Sequence, residues 1–195
     1  MEGWERWSGV NVAPGVLFAI QPFAADVVAY LPRTRRMFQF LEPGPLRDDD
    51  LQLVLAEAYP GNAFRNIAPA YRFQMQHAYR GSKLGEIELR IGTSQYLVMY
   101  AGQIGYEVYP AFRGHHYAAR SVVLLLPLAQ RHSLQPVWIT CNPDNYASRR
   151  TCELAGFELV EIVNLPPDSD MYRSGERQKC RYRRYFPEVK RAWFG

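Results

Sequence analysis

The sequence predicts one domain of mixed α/β (α+β) type, and two observations carry this prediction. Residues 71–77 and 84–91 alternate apolar and polar side chains on either side of a turn, which is typical of a half-buried hairpin. Residues 104–157 then read as a strand, a turn, an apolar helix, a second strand and a second helix. The chain of 195 residues is long enough for one well-buried domain and short for two.

Three regions are expected along the chain. Residues 1–35 form an aromatic-rich extension punctuated by prolines, which we expect to pack on the domain, with a lid over the substrate as the alternative. Residues 36–186 form the domain itself, and residues 187–195 form a C-terminal tail.

The first elements of the domain are a strand and a helix. Residues 36–41 predict the strand. Asp48, Asp49 and Asp50 then precede an apolar run that begins at Leu51, and acidic residues before apolar ones indicate a helix start. The three aspartates could also suggest a metal site, but no partner carboxylates lie at ligand spacing, so capping is favoured.

The remaining elements follow the hairpin. Residues 95–101 could form another short extended piece before the central strand, and Pro127 should kink the long apolar helix. The other predicted elements are a helix over residues 118–132 and strands over residues 137–141, 158–164 and 178–185.

A turn suited to an anion follows the central strand. Pro110 ends the strand because proline cannot donate a hydrogen bond to a sheet, and a helix begins after Gly114. The first N–H groups of a helix lack intrahelical partners and lie at the positive end of its dipole. Together with Arg113 they suit a phosphate group.

A second helix is marked by an Asn-Pro-Asp-Asn start and by a stop at Gly156. Asn145, Ser148 and Cys152 are three and four residues apart, so they share one face of this helix. Another face carries apolar and small side chains, so one face can pack while the other looks into a cleft.

These two motifs resemble those of the GNAT superfamily of acetyl-CoA-dependent N-acetyltransferases. The first reads Pro-x-x-Arg-Gly-x-x-Tyr-Ala after a strand, and the second reads Asn-x-x-Ser-x-x-x-Cys-Glu-x-x-Gly-Phe about 30 residues later. The resemblance implies a GNAT-like acyl-CoA N-acyltransferase fold, whose mixed, mostly antiparallel sheet is splayed at the central strands so that coenzyme A (CoA) enters the cleft. It also implies acetyl-CoA as co-substrate, with no metal.

The resemblance implies roles for both motifs. The strand end would meet the acetyl-pantetheine arm, the turn would hold the pyrophosphate, and the second helix would line the arm. His116 departs from the family, because many members have glycine there. A metal pair formed with the adjacent His115 is disfavoured, since neighbouring histidines at a helix start point in different directions. The implied cofactor-binding residues are Val108, Tyr109, Arg113, Gly114, His115, His116, Tyr117, Ala118, Asn145 and Ser148.

Two residues are candidates for the chemistry. Cys152 lies where many family members carry a tyrosine that protonates the departing thiolate, so it either supplies that proton or only packs. Glu107 in the central strand is the candidate general base, with Glu86, Glu88 and a water relay as its competitors. Some relatives use a glutamate where this chain has Thr140.

Composition and charge narrow the class of protein and its cellular compartment. The chain is 48% hydrophobic and 22% charged with a formal net charge of +4, which is ordinary for a globular protein. An odd number of cysteines and no export signal favour the cytoplasm. No apolar run is long enough for a membrane span. Basic and aromatic residues crowd the C-terminal segment, where a solvated basic strand is favoured over nucleic-acid binding.

The predicted function is transfer of an acetyl group from acetyl-CoA to a primary amine. The acceptor would be a small molecule or a peptide, and a homodimer is left open. The alternative is a non-catalytic CoA-binding sensor, or a module that associates with nucleic acid through the basic C-terminal segment.

Overall fold

The computed structural model of the protein describes residues 38–187, which form eight β-strands and three α-helices. Short 3-10 turns cover Ala63–Arg65 and Pro110–Phe112. The strands are β1 (Arg47–Asp48), β2 (Leu51–Tyr59), β3 (Ala70–His77), β4 (Lys83–Arg90), β5 (Ile104–Val108), β6 (Val137–Cys141), β7 (Glu158–Asn164) and β8 (Gln178–Arg184), and the helices are α1 (Tyr117–Arg131), α2 (Tyr146–Leu154) and α3 (Asp170–Arg173).

Strands β1 to β5 form an antiparallel meander in which each strand pairs with the next. One face of this sheet is apolar because alternate side chains, such as Ile87 and Leu89, point toward α1 and are buried. The opposite face is polar, and Arg72 there pairs with Glu88 of the neighbouring strand at 3.0 Å. The two faces of this sheet therefore meet different environments.

Strands β6, β8 and β7 form a second antiparallel sheet in that spatial order. Tyr182 and Cys180 of the central strand β8 are buried, whereas the alternate residues Arg181 and Arg183 pair with glutamates of β7. Strand β7 is mostly exposed and lies at the edge of this sheet.

The two sheets meet at one buried glutamine, Gln103. Its backbone N–H donates to Trp138 O at 2.7 Å, and its side-chain oxygen accepts from Trp138 N at 2.8 Å. On the other sheet its carbonyl accepts from Arg90 N at 2.8 Å, and its side-chain nitrogen donates to Gly92 O at 2.8 Å. Every polar group of this residue is therefore bonded, which a fully buried glutamine requires.

Beyond this joint the two sheets part. The central strands β5 and β6 both begin beside it, yet no ladder joins them, and each belongs to a different sheet. The splay at the central strands, and with it the mixed, mostly antiparallel fold that the sequence predicts, is confirmed.

Most of the other predicted elements are confirmed with small shifts at their ends. The hairpin is β3 and β4, the long helix is α1, and the last strand ends at Arg184. No helix within residues 38–187 is long and apolar enough to cross a membrane. Residues 1–37 and 188–195 lie outside the described residues, so the expected N-terminal extension and most of the tail stay predictions.

Two predictions at the start of the domain are wrong. Residues 38–41 form no strand, because Leu41 is held by the side chain of Tyr71, whose hydroxyl accepts from Leu41 N at 2.6 Å. The expected helix at Leu51 is strand β2. Asp49 takes a left-handed φ of 48° in the tight turn between β1 and β2, so the acidic triplet marks a hairpin turn rather than a helix cap.

The expected extended piece at residues 95–101 is also wrong, because Leu97–Ala101 is a short helix with π-type hydrogen bonding. Gly102 N donates to Leu97 O at 2.7 Å, and Gly102 then turns the chain into β5 with a φ of 73°. A short apolar run fits a strand and a helix equally well in sequence.

The hydrogen bonds of Gln103 to both sheets predict that replacing this residue lowers the stability of the protein. Replacing Gln103 with Leu leaves the N–H of Trp138 and the carbonyl of Gly92 without a side-chain partner, so we expect the free energy of unfolding to fall by about 2–3 kcal/mol. Chemical denaturation measures this loss. The exposed Gln178→Leu is the control, with a change within about 0.5 kcal/mol. Equal stability of the two variants would contradict a structural role for Gln103.

Candidate functional site

The turn between β5 and α1 is open to solvent. Arg113, Gly114, His115 and His116 are all exposed, and burial begins only at Tyr117. The guanidinium of Arg113 donates back to Val108 O at 3.1 Å. The first N–H groups of α1 and a cation therefore lie on one accessible surface, which is the arrangement that suits a phosphate.

His116 directly precedes α1 in a left-handed conformation, with φ 58° and ψ 19°. Gly114 also has a positive φ, of 87°. Glycine adopts such angles freely, whereas a residue with a Cβ does so at a cost. The backbone thus keeps a glycine-like path although the chain carries histidine at this position.

The imidazoles at this turn do not belong to a metal site in the described chain. Residues 38–187 hold no group of three or more His, Cys, Asp or Glu side chains placed to bind a metal ion. The ring of His115 instead lies 5.7 Å from that of Tyr117.

Asp48 and Asp50 hold α1 from the side. Asp50 accepts from the Tyr117 hydroxyl at 2.8 Å and from Arg120 at 2.7 Å, while Arg120 also pairs with Asp48 at 2.6 Å. The Tyr117 hydrogen bond and the Arg120 guanidinium hold the pKa of Asp50 below its usual value. The stabilisation is therefore present at neutral pH and is lost as the pH falls through that lowered pKa.

A mostly apolar groove of about 390 Å³ runs along α1. His116 and Arg120 line it at the end nearest the exposed turn, and Val123 and Leu154 give it apolar surface. Val123 and Leu154 are both partly exposed.

Helix α2 places its predicted face against β5. Asn145 caps the helix, because its side-chain oxygen accepts from Ser148 N at 3.0 Å. Tyr106 of β5 reaches Ser148 Oγ at 2.9 Å and Cys152 Sγ at 3.9 Å. The structure therefore brings Ser148 and Cys152 together at the parting strands, and it adds Tyr106 to them.

Cys152 is fully buried and contacts the thiol of Cys141. The hydrogen bond that Cys152 donates to Cys141, together with burial, raises the pKa of the Cys152 thiol, while the pKa of Cys141 is lowered. A covered thiol that holds its proton tightly is a weak proton donor. This placement favours the packing interpretation of Cys152, and its catalytic role stays a prediction.

Glu107 lies on the other face of the sheet. It is exposed and directly opposite Glu86 of β4 in the antiparallel register. Glu86 accepts from the Tyr109 hydroxyl at 3.3 Å, and Glu88 is held by Arg72 and Arg90. Among residues 38–187 of this structure, Glu88 is thus held in ion pairs, whereas neither Glu86 nor Glu107 makes one.

The hydroxyl of Thr140 makes a structural hydrogen bond. It donates to Tyr100 O at 2.7 Å, which ties β6 to the short helix before β5. Sequence reasoning missed this contact, as it missed the reach of Tyr106 to α2. The alternation of Tyr106 with Glu107 along β5 showed that they face opposite sides, but not what Tyr106 meets.

The family of the chain follows from a match to a domain model. The chain belongs to the GNAT acetyltransferase family, because the model described as an acetyltransferase (GNAT) domain matches residues 19–158, more than half of the chain. The chain therefore carries an acetyltransferase domain of this family. The resemblance seen in the two motifs is confirmed.

Solved structures are similar to the chain, and the first of those that follow shows the same fold. A putative ribosomal-protein-serine acetyltransferase from Vibrio cholerae is 13% identical with a TM-score of 0.54, over 75% of this chain and 100% of that one. The ribosomal-protein-S5-alanine acetyltransferase from Vibrio fischeri is 15% identical with a TM-score of 0.49, over 62% and 64% of the two chains.

The microcin C7 self-immunity acetyltransferase MccE, solved with acetyl-CoA and AMP, is 16% identical with a TM-score of 0.47. The alignment covers 60% of this chain and 61% of MccE, so the chain spans less than two thirds of that structure. None of the curated proteins compared with the chain matches it significantly.

The left-handed angle at His116 gives a stability prediction. His116→Gly should raise the free energy of unfolding by about 0.5–1 kcal/mol, because glycine adopts this angle without a Cβ clash. The matched change Gly114→Ala, at a φ of 87° with open space around it, should instead lower it by about 1 kcal/mol. Thermal unfolding of both variants measures the signs, and a lower stability of His116→Gly would contradict the angle.

Proposed function

We propose that the protein is an N-acetyltransferase that moves an acetyl group from acetyl-CoA to a primary amine by direct transfer within a ternary complex. The observation that carries this proposal is the parting of β5 from β6 beside the exposed turn that begins α1. An anion held at the turn would have its attached chain directed along the gap between these strands. Positioning both substrates in line supplies much of the rate in such a transfer.

The turn would hold the diphosphate of CoA. Backbone amides from Gly114 to Ala118 and the Arg113 guanidinium are the donors. The groove along α1 begins at His116, so it would receive the nucleotide end of CoA, with apolar contact from Val123 and Leu154.

The edge of β5 would hold the pantetheine arm. Tyr109 N already donates to Leu84 O of β4 at 2.9 Å, so its amide is not free for a ligand. Backbone groups of alternate residues point to opposite sides of a strand, so those of Tyr106 and Val108 point away from β4 and into the gap. Val108 fits its predicted role, although its carbonyl must first release Arg113.

The amine would arrive on the polar face of the sheet. Glu107 lies on that face, whereas Tyr106 points to the other face and to α2. An amine between the thioester and Glu107 could lose its proton to this carboxylate directly or through a water molecule. The acceptor would be a small molecule or the amine of a peptide.

The non-catalytic alternative has less support. The family assignment supports an enzyme, and Arg181 and Arg183 of β8 are already paired with glutamates. Lys179 pairs with Glu176 at 2.5 Å, while Lys190 and Arg191 lie outside the described residues. Three free cysteines support the proposal of a cytoplasmic protein. The homodimer stays a prediction.

The experiment that tests the function follows release of the CoA thiol from acetyl-CoA, with a panel of small amines, aminoglycosides and peptides with free N-termini. Thiol release that depends on one class of amine, with the acetylated product seen by mass spectrometry, is expected. Binding of CoA without turnover across the panel, and association with RNA that weakens steeply with salt, would support the non-catalytic alternative.

The diphosphate contact predicts a selective loss of affinity. Arg113→Ala should weaken CoA binding about tenfold in calorimetry, because it removes one charge-assisted contact at an exposed site. Acetyl-pantetheine lacks the diphosphate, so its affinity should not change. Arg173→Ala, an exposed arginine of α3, is the control. Equal losses for both ligands would show that Arg113 does not contact the diphosphate.

The proposed role of Glu107 as general base predicts a lower turnover number when its carboxylate is removed. Glu107→Gln should lower kcat about 100-fold or more with an unchanged KM for acetyl-CoA, because the amide cannot accept the proton of the amine. Steady-state kinetics with the acceptor found in the panel measure both effects. Glu153→Gln on the exposed side of α2 is the matched control. An unchanged kcat in Glu107→Gln would favour a water relay.

A further inference from the structure

Tyr106 is the side chain that spans from β5 to α2 at the parting strands. Its hydroxyl oxygen lies 2.9 Å from Ser148 Oγ, donates to Ser148 O at 3.3 Å and lies 3.9 Å from Cys152 Sγ. The ring packs against the hydrophobic core. A rigid side chain thus carries a polar hydrogen to the gap between the two sheets.

The hydrogen of this phenol has one short acceptor, Ser148 Oγ, and that hydroxyl can itself be the donor. A phenol carries one hydrogen, while its oxygen can also accept. If Ser148 Oγ donates to Tyr106, the Tyr106 hydrogen is left with a carbonyl at 3.3 Å or a sulfur at 3.9 Å, and both contacts are long for an O–H donor. An anion at this point would be a stronger acceptor than either.

Other donors beside this gap are already used. Arg149 of α2 donates to Pro143 O at 3.2 Å and to the Tyr182 hydroxyl at 3.4 Å. The Cys152 thiol of the same helix is fully buried. Tyr106 is therefore the donor best placed to meet a negative charge that develops between the strands.

We propose that the Tyr106 hydroxyl donates a hydrogen bond to the CoA sulfur as the thioester breaks, which makes Tyr106 a catalytic residue of the acetyl transfer. The inference rests on the proposed function. The amine nitrogen forms the new bond to the acetyl carbon, and its proton passes to Glu107 or to water. The carbon–sulfur bond breaks with its electron pair on sulfur, and the thiolate, held by Tyr106, takes a proton from water as CoA leaves.

The proton stays on the phenol during this step. Burial raises the pKa of Tyr106 above its ordinary value of about 10, whereas a thiol has a pKa of about 8.5. Transfer of the Tyr106 proton to the thiolate is uphill, so the hydroxyl stabilises the leaving group as a hydrogen-bond donor. A donor that never ionises in the working range does this at every turnover.

The test reads the bound sulfur directly and needs no acceptor amine. Ultraviolet absorbance of the thiolate gives the pKa of the CoA thiol in the binary complex, with desulfo-CoA as the blank. A hydrogen bond to the charged form lowers a pKa, so the bound thiol should titrate about one unit below free CoA, and Tyr106→Phe should abolish that shift. Tyr182→Phe, which removes another buried tyrosine hydroxyl, should keep it.

A second measurement uses the wild-type protein alone. Between pH 7 and pH 10 the affinity for CoA should rise about tenfold relative to that for desulfo-CoA, because the thiolate is the favoured form. The role of Tyr106 would be overturned if the affinity did not rise, or if a folded Tyr106→Phe that still binds CoA gave the same bound-thiol pKa as the wild-type protein. Either result would leave the proposed function intact. Failure of the wild-type protein to bind CoA at all would overturn both.

Discussion

The whole arrangement depends on the hydrogen bonds of Gln103. This residue ends the turn after the short π-type helix, directly precedes β5 and bonds to both sheets with its backbone and its side chain. Gly102 beside it approaches β6 so closely that an added Cβ would lie 2.9 Å from Thr140 N. Because the joint is tight at this end, the strands can diverge at the other end without separating the two sheets. The gap for a co-substrate is a consequence of where the pairing stops.

Patterns of the chain itself predicted most of the fold. Alternation at period two predicted β3 and β4, and the apolar run together with its start and stop signals predicted α1 and α2. The failures share one cause. Asp48 to Asp50, and the apolar residues from Leu97 onward, suit two local structures equally well, and contacts with distant residues decide between them. Pairing of β2 with β3 and packing of Leu97 in the core are not visible in a local window.

The candidate site was predictable to a similar degree. The exposed turn before α1 follows from Gly114 and Arg113, and the contact of Ser148 and Cys152 with one partner follows from their spacing on a helix. Which partner they meet was not predictable, because Tyr106 is distant in sequence and only the topology brings it there. The left-handed angle at His116 was equally hidden, since histidine gives no signal for a positive φ.

The alternation of side chains along β5 has a consequence for how the two substrates would enter the site and how the products would leave it. Tyr106 faces α2 and Glu107 faces the polar side of the sheet. In the proposed transfer the coenzyme and the amine would therefore approach the acetyl carbon from opposite faces of the sheet, through the gap beside β5. The free coenzyme and the acetylated product would then leave from opposite faces of the sheet. A long polymer could present its terminal amine at the polar face without entering the cleft, while the coenzyme is exchanged on the opposite face.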